Sequence, residues 1–215
     1  MNSEEDKRRT ILEVLRRLEK IYPDELELRY DTPLELLVAT ILAAQTTDAK
    51  VNELTRELFK KYRTAQEYAN ASLEELSQDI NSVNYYRNKA KYIREACKMI
   101  AEHFGGEVPK SIEELTKLPG VGRKTANIIL YNAYRITEGI AVDTHTARLS
   151  QRLGLTNEEK PEKIERDLIK ITPKEYWGKL SNLFMLHGRY VCTAKKPKHK
   201  ECVLYDLCPS RDLEA

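Results

Sequence analysis

Five times along this 215-residue chain a serine or threonine is followed three positions later by glutamate: Thr32–Glu35, Thr64–Glu67, Ser72–Glu75, Ser111–Glu114 and Thr172–Glu175. That spacing lets the hydroxyl accept from an amide of the first helical turn while the carboxylate reaches back to the cap, so each pair predicts a helix start. Pro33 reinforces the first of them, because proline suits the first helical position. Apolar residues recur at helical spacing in 4–20 (Ile11, Val14, Leu15, Leu18) and fill the segment 33–44. Gly105 and Gly154 follow periodic segments that end at Phe104 and Leu153, which predicts helix C-caps. About ten helices emerge, with no stretch of β-branched and polar alternation. The predicted fold class is all-α. The segment TNEEKPEK at 156–163 reads as the clearest loop of the second half, and no low-complexity linker or internal repeat divides the chain.

Composition narrows the setting. Apolar residues make up 41% and charged residues 33%, as expected for a globular protein of amphipathic helices. The longest apolar run, LELLVATILAA at 34–44, is too short for a bilayer, and MNSEEDKRRT has no apolar core region of the kind a secretory signal needs. The expected setting is the cytoplasm, with association to the nucleoid in a prokaryote. A net charge of +2 says little about partners, but four lysines crowd KKPKHK at 195–200. Such a run is either a solvated loop or a surface for phosphates.

The four cysteines are unevenly spread. Cys97 shares a helical pattern with Ile93, Ile100 and Ala101 and is expected in the core. Cys192, Cys202 and Cys208 fall within the last 24 positions, and in a reducing compartment a cluster of this kind points to metal before disulfide.

The stretch LPGVGRKTAN at 118–127 carries the most chemistry. Proline and two glycines keep side chains off a turn, and a helix opening near Val121–Arg123 would point its unpaired amides at an anion. A plain turn between two helices fits the same residues. Lys124 is then either a solvated lysine or an amine placed beside whatever the hairpin grips. A lysine attacks only when neutral, and with an ordinary pKa of ~10.4 only on the order of one in a thousand is neutral near physiological pH. Desolvation or a nearby cation would raise that fraction. Asp143, in AVDTHTARL, has the position of a helix N-cap, and a carboxylate in that place can still face a pocket and assist a reaction. His145, two residues on, points to a different helix face and is expected to be structural.

Taken together, ILAAQTTD at 41–48, LPGVGRKTAN, AVDTH and a cysteine cluster reaching CPSRD at 208–212 resemble the helix–hairpin–helix DNA glycosylases of the endonuclease III type, over nearly the whole chain. The resemblance implies that Lys124 attacks the sugar C1′ of a damaged pyrimidine nucleotide, that Asp143 assists, and that the Schiff base allows β-elimination. Lysine at 124 also implies lyase activity. The hairpin residues Leu118, Gly120, Val121, Gly122 and Arg123 would hold the DNA backbone. Gln45 would fill the gap left by the extruded base. In similar enzymes the opposite loop ends Gly-Leu-Tyr or Gly-Phe-Tyr. Here Asn84 and Tyr85 stand in those places, Asn tolerating a left-handed backbone and Tyr85 offering a ring to stack.

Similar enzymes bind a [4Fe–4S] cluster through C-x6-C-x2-C-x5-C, and this chain reads Cys192-x6-His199-x2-Cys202-x5-Cys208. Histidine in the second ligand place makes a cluster one charge less negative, and histidine ligation raises the potential in Rieske centres. Three cysteines and a histidine also form a zinc set, and three thiolates could hold an incomplete cluster with His199 as a bystander. Whichever metal is bound, its staple would present Lys195, Lys196 and Lys198 to phosphates on a rigid loop. The resemblance further implies a helical barrel over 23–133 and a discontinuous cluster lobe of 1–22 with 134–215, with duplex DNA bound in a cleft where Lys124 and Asp143 meet. The expected partner is double-stranded DNA with damaged pyrimidines or abasic sites, the expected state a monomer without membrane contact. Two rival functions fit the residues, a monofunctional mismatch glycosylase of the same fold and a non-catalytic, metal-stapled DNA-binding module.

Overall fold

A computed structural model of the protein describes residues 3–211; residues 1, 2 and 212–215, which include Asp212 of the CPSRD motif and both ends of the expected cluster lobe, lie outside it. Among the described residues every regular element is helical: eleven α-helices and three short 3₁₀ turns. The chain divides into two compact units, Leu26–Glu138 and a discontinuous one of Met1–Glu25 with Gly139–Ala215.

The first unit is built around α2 (Pro33–Leu42), which is so apolar that seven of its ten residues are buried. The Thr32 cap forms as expected, its hydroxyl accepting from Glu35 N at 3.2 Å while the Glu35 carboxylate accepts from Thr32 N at 3.3 Å. Against α2 pack α3 (Asp48–Lys61), α6 (Tyr86–His103) and α8 (Arg123–Tyr134). The short helices α4 (Ala65–Asn70) and α5 (Leu73–Asp79) lie on α6, and α7 (Ile112–Leu115) lies on α8. Thr64, Ser72 and Ser111 cap α4, α5 and α7. Leu36, Leu37, Leu42, Leu76, Ile80, Ile93 and Ile100 are fully enclosed, and removing such a side chain from water stabilises the fold by about 1.5–3 kcal/mol each. Cys97 belongs to this core, and burial pushes its thiol up to about 12.

The second unit brings together α1 (Glu4–Leu18), α9 (Thr144–Arg152), α10 (Pro161–Ile171) and α11 (Trp177–Tyr190). Its core contains Ile11, Val14, Leu15 and Leu18, the apolar face read from the sequence, with Ile164, Leu168, Leu180, Leu183 and Phe184.

Two local readings change. Thr172 opens no helix: it is the C-cap of α10, and its buried hydroxyl has no hydrogen-bond partner among the described residues. Pro173 explains this, because a residue before proline is pushed out of the helical region. The expected loop 156–163 ends sooner, at Lys160, since Pro161 takes the first position of α10 rather than belonging to a turn.

Candidate functional site

The hairpin lies in the first unit. Leu118 and Val121 are buried in its core, and Val121 N donates to Leu118 O at 3.1 Å, closing the turn. Those two side chains are therefore anchors, and only their backbone is left to face a ligand. Gly120 has φ +81°, and a Cβ there would stand 3.0 Å from Cβ of Tyr92 on α6. Turn geometry and the close approach of α6 both demand glycine. Gly122 is the N-cap of α8 and offers no side chain, so the first amides of α8 lack a partner within the helix and stand at its positive end. Arg123 and Lys124 are the first two residues of α8, both exposed. The lysine thus sits within the first turn rather than a turn inside the helix.

Two other expected residues belong to the same unit. Gln45 follows α2, exposed, with φ +55°. Tyr85 precedes α6, 63% exposed, with φ +56°. Asn84 was expected to take the left-handed place of the family glycine, but that conformation falls on Tyr85. Asn84 instead donates through Nδ2 to Gln45 O at 2.7 Å.

Asp143 lies in the second unit, half-buried, and caps α9 by accepting from Thr146 N through Oδ1 at 2.7 Å. The chain leading to it is buried, and its amides are paired: Ile140 N donates to Glu165 Oε1 at 3.2 Å and Ala141 N to Ser181 Oγ at 3.0 Å. His145 packs against α11, where a Cβ on Gly188 would lie only 2.8 Å from its own Cβ, and Arg148 Nη2 meets its Nδ1 at 3.1 Å.

The cysteine loop follows α11 in this same unit. Cys192, Cys202 and Cys208 pack against the core, half-exposed, together with buried Leu204. Arginines from α9 hold the start of the loop. Arg148 donates to Cys192 O at 3.0 Å and to Gly188 O at 2.7 Å, and Arg152 to Thr193 O at 2.8 Å, Ala194 O at 3.0 Å and Cys192 Sγ at 3.2 Å. From α1, Arg17 donates to Val203 O at 2.8 Å and pairs with Asp206. His187 is buried on α11, with Nδ1 3.2 Å from the Tyr22 hydroxyl and Nε2 3.4 Å from Cys202 Sγ. Burial holds this imidazole down at about 4, so it is neutral, and a Tyr22 hydroxyl donating to Nδ1 leaves Nε2–H facing the sulfur.

The donor chemistry of the loop suits a thiophilic metal group. Burial pushes the Cys202 and Cys208 thiols up, and the neighbouring Cys192 raises each further, as expected of sulfurs gathered in one place. His199 stands in a 3₁₀ turn, His199–Glu201, with its Nε2 buried and without a hydrogen-bond partner, an arrangement that costs free energy unless something binds it. Among the described residues, no three or more histidine, cysteine or acidic side chains converge as a closed metal-binding set. Lys195 and Lys196 are exposed, while Lys198 pairs with Glu201 at 3.7 Å.

Sequence reading did not single out Arg148, Arg152, Arg17, Tyr22, His187 or Lys89. A signal existed for two of them: Arg148 and Arg152 are four apart, on one face of the helix that Asp143 caps.

Residues 38–174 match the family model described as HhH-GPD superfamily base excision DNA repair protein, and residues 192–208 match the iron–sulfur binding domain of endonuclease III. The chain is 50% identical over 205 residues to endonuclease III of Synechocystis sp., covering 95% of this chain and 94% of that one. It is 37% identical over 202 residues to endonuclease III of Escherichia coli K12, covering 94% and 95%. A solved structure of a trapped endonuclease III–DNA covalent intermediate, an estranged-adenine complex, is 43% identical with a TM-score of 0.90, covering 98% of each chain. With its helical fold, its glycine hairpin and its cysteine loop in agreement, this chain belongs to the endonuclease III branch of the HhH-GPD superfamily of base excision DNA repair proteins.

Proposed function

We infer that the protein is a bifunctional DNA glycosylase and abasic-site lyase that removes oxidised pyrimidines from double-stranded DNA. The observation that carries this reading is the hairpin, which places the Lys124 amine in the first turn of α8 beside amides without helical partners. Those amides, with Gly120, Gly122 and Arg123, bind a backbone phosphate and set the register of the lysine on the strand.

The extruded nucleotide presents C1′ to the Lys124 nitrogen. A C1′–N bond forms, the glycosidic bond breaks, and the base leaves with that electron pair and a proton. Asp143 caps α9 with Oδ1; in this reading its second oxygen faces the sugar, stabilises the cationic transition state and takes up the proton released by the amine. The resulting iminium acidifies C2′; loss of that proton breaks the C3′–O bond and cuts the strand, and water then hydrolyses the imine. Gln45 fills the vacated stack and Tyr85 lies on the orphaned base, which repays the few kcal/mol spent on unstacking.

The metal group proposed for the loop is a [4Fe–4S] cluster held by Cys192, Cys202, Cys208 and Nε2 of His199, supported by that nitrogen being buried without a partner. When bound it supplies a rigid staple rather than a reactant, and the staple presents Lys195 and Lys196 to DNA. The protein is proposed to act as a cytoplasmic monomer.

Borohydride trapping on thymine-glycol DNA tests the chemistry. A covalent adduct at Lys124 is expected, absent in Lys124→Gln, while Asp143→Asn slows base release by about 10²–10⁴-fold. Base release without any trapped adduct indicates a monofunctional glycosylase instead, and binding without base release indicates a non-catalytic module.

A further inference from the structure

Two residues of the first unit other than glycine take a left-handed backbone away from a helix C-cap, Gln45 and Tyr85. A side-chain-bearing residue in that conformation costs on the order of 1–3 kcal/mol and persists only where its surroundings enforce it. The surroundings here are specific. Asn84 Nδ2 donates to Gln45 O at 2.7 Å, joining the two loops across 39 residues of sequence. Lys89, in the first turn of α6, donates through Nζ to Leu42 O at 2.7 Å and to Thr46 Oγ1 at 3.0 Å. Its two acceptors bracket the loop that carries Gln45.

Lys89 is 4% exposed, and burial lowers its pKa. A lysine so enclosed is retained only if its hydrogen bonds and the local field support the charge. Both do: Leu42 closes α2, and its carbonyl stands at the negative end of that helix, where a cation is stabilised and an unpaired acceptor satisfied. No comparable link holds this loop to α3, which begins anew at Asp48 under its own Thr47 cap.

We propose that Lys89 is a positioning residue for base extrusion: it fixes the Gln45 loop against α6, and with Asn84 it makes Gln45 and Tyr85 enter the duplex as one rigid wedge. The proposal rests on the glycosylase reading above. Lys89 touches neither sugar nor base; it acts through residues 42–46.

The test compares two substrates in single-turnover trapping. One is a duplex with thymine glycol paired to adenine, where extrusion must break a pair. The other carries a preformed abasic site, where no base has to leave the stack. Lys89→Met keeps the apolar stem and removes the ammonium. It is expected to slow trapping on the paired lesion by at least about tenfold, since hydrogen bonds of a charged group are the ones lost, and on the abasic duplex by no more than about threefold. A 2-aminopurine facing the lesion, which brightens when wild type opens the pair, is expected to stay dark. Thr46→Val, which removes one acceptor without a buried charge, is expected to reproduce the split at smaller amplitude and serves as well if Lys89→Met fails to fold. Equal slowing on both substrates, or slowing on neither, overturns the proposal while wild type still traps. Wild type that traps neither substrate overturns the glycosylase reading and this inference with it.

Discussion

The hairpin at 118–124 and the cysteine loop at 192–208 are both short, irregular and rich in backbone that no long helix covers, yet they are held in opposite ways. The hairpin holds itself. Leu118 and Val121 anchor it in the core, one hydrogen bond closes it, and α7 and α8 continue from its two ends. The cysteine loop contains only two 3₁₀ turns of three residues each and is held by distant side chains: Arg148 and Arg152 from α9, Arg17 from α1, His187 from α11. Its thiols remain half-exposed. A segment whose apolar anchors are its own folds with its unit, whereas one pinned from outside and lined with ligands waits for its metal.

Removing the metal should break the symmetry of that comparison most visibly. Stripping iron with a chelator is expected to abolish hydrogen-exchange protection across 192–208 and to leave that of α8 unchanged. Cys192, Cys202 and Cys208 then become open to alkylation, while Cys97, its thiol raised to about 12 by burial, stays inert. Loss of protection in α8 as well would show the hairpin to depend on the loop's metal. On the other side, Leu118→Ala should cost roughly 2–5 kcal/mol of the stability of the first unit in denaturant titration, because the anchor leaves a cavity. Gly120→Ala comes next, at about 1–3 kcal/mol, from the left-handed φ and the Tyr92 contact. The smallest effect belongs to the loop's lysines. Lys195→Gln and Lys196→Gln should each lower the salt slope of DNA binding by ~0.9 without altering base release. Lys198→Gln should lower it less, because Glu201 already pairs with that lysine.

How much was legible in the sequence follows from the range of each interaction. Caps act over three or four residues, so Thr32, Thr64, Ser72, Ser111 and Asp143 could be read directly, and Gly105 and Gly154 do take positive φ after their helices. Thr172 misled because the motif is local but Pro173 vetoes it. Asn84 was placed one residue off: a hairpin-like loop announces that some residue must turn left-handed, whereas which residue does so depends on the 39-residue reach to Gln45. Lys89, at 47 residues from Leu42, and Arg17, at 189 from Asp206, carry no local signature.

By itself the order of amino acids determined that the protein is helical, where most helices begin, that Lys124 opens a helix behind a glycine turn, and that a thiol-rich loop lies near the C-terminal end. These features depend on hydrogen bonds within a turn and on a 3.6-residue apolar period, both of which are written in adjacent residues. Tertiary structure alone decided which polar groups support those features: the lysine buried at the end of α2, the arginines that hold the cysteine loop, and the imidazole left without a partner. The reason is electrostatic. A buried charge or polar atom survives only beside its partner, and folding, not sequence spacing, chooses that partner.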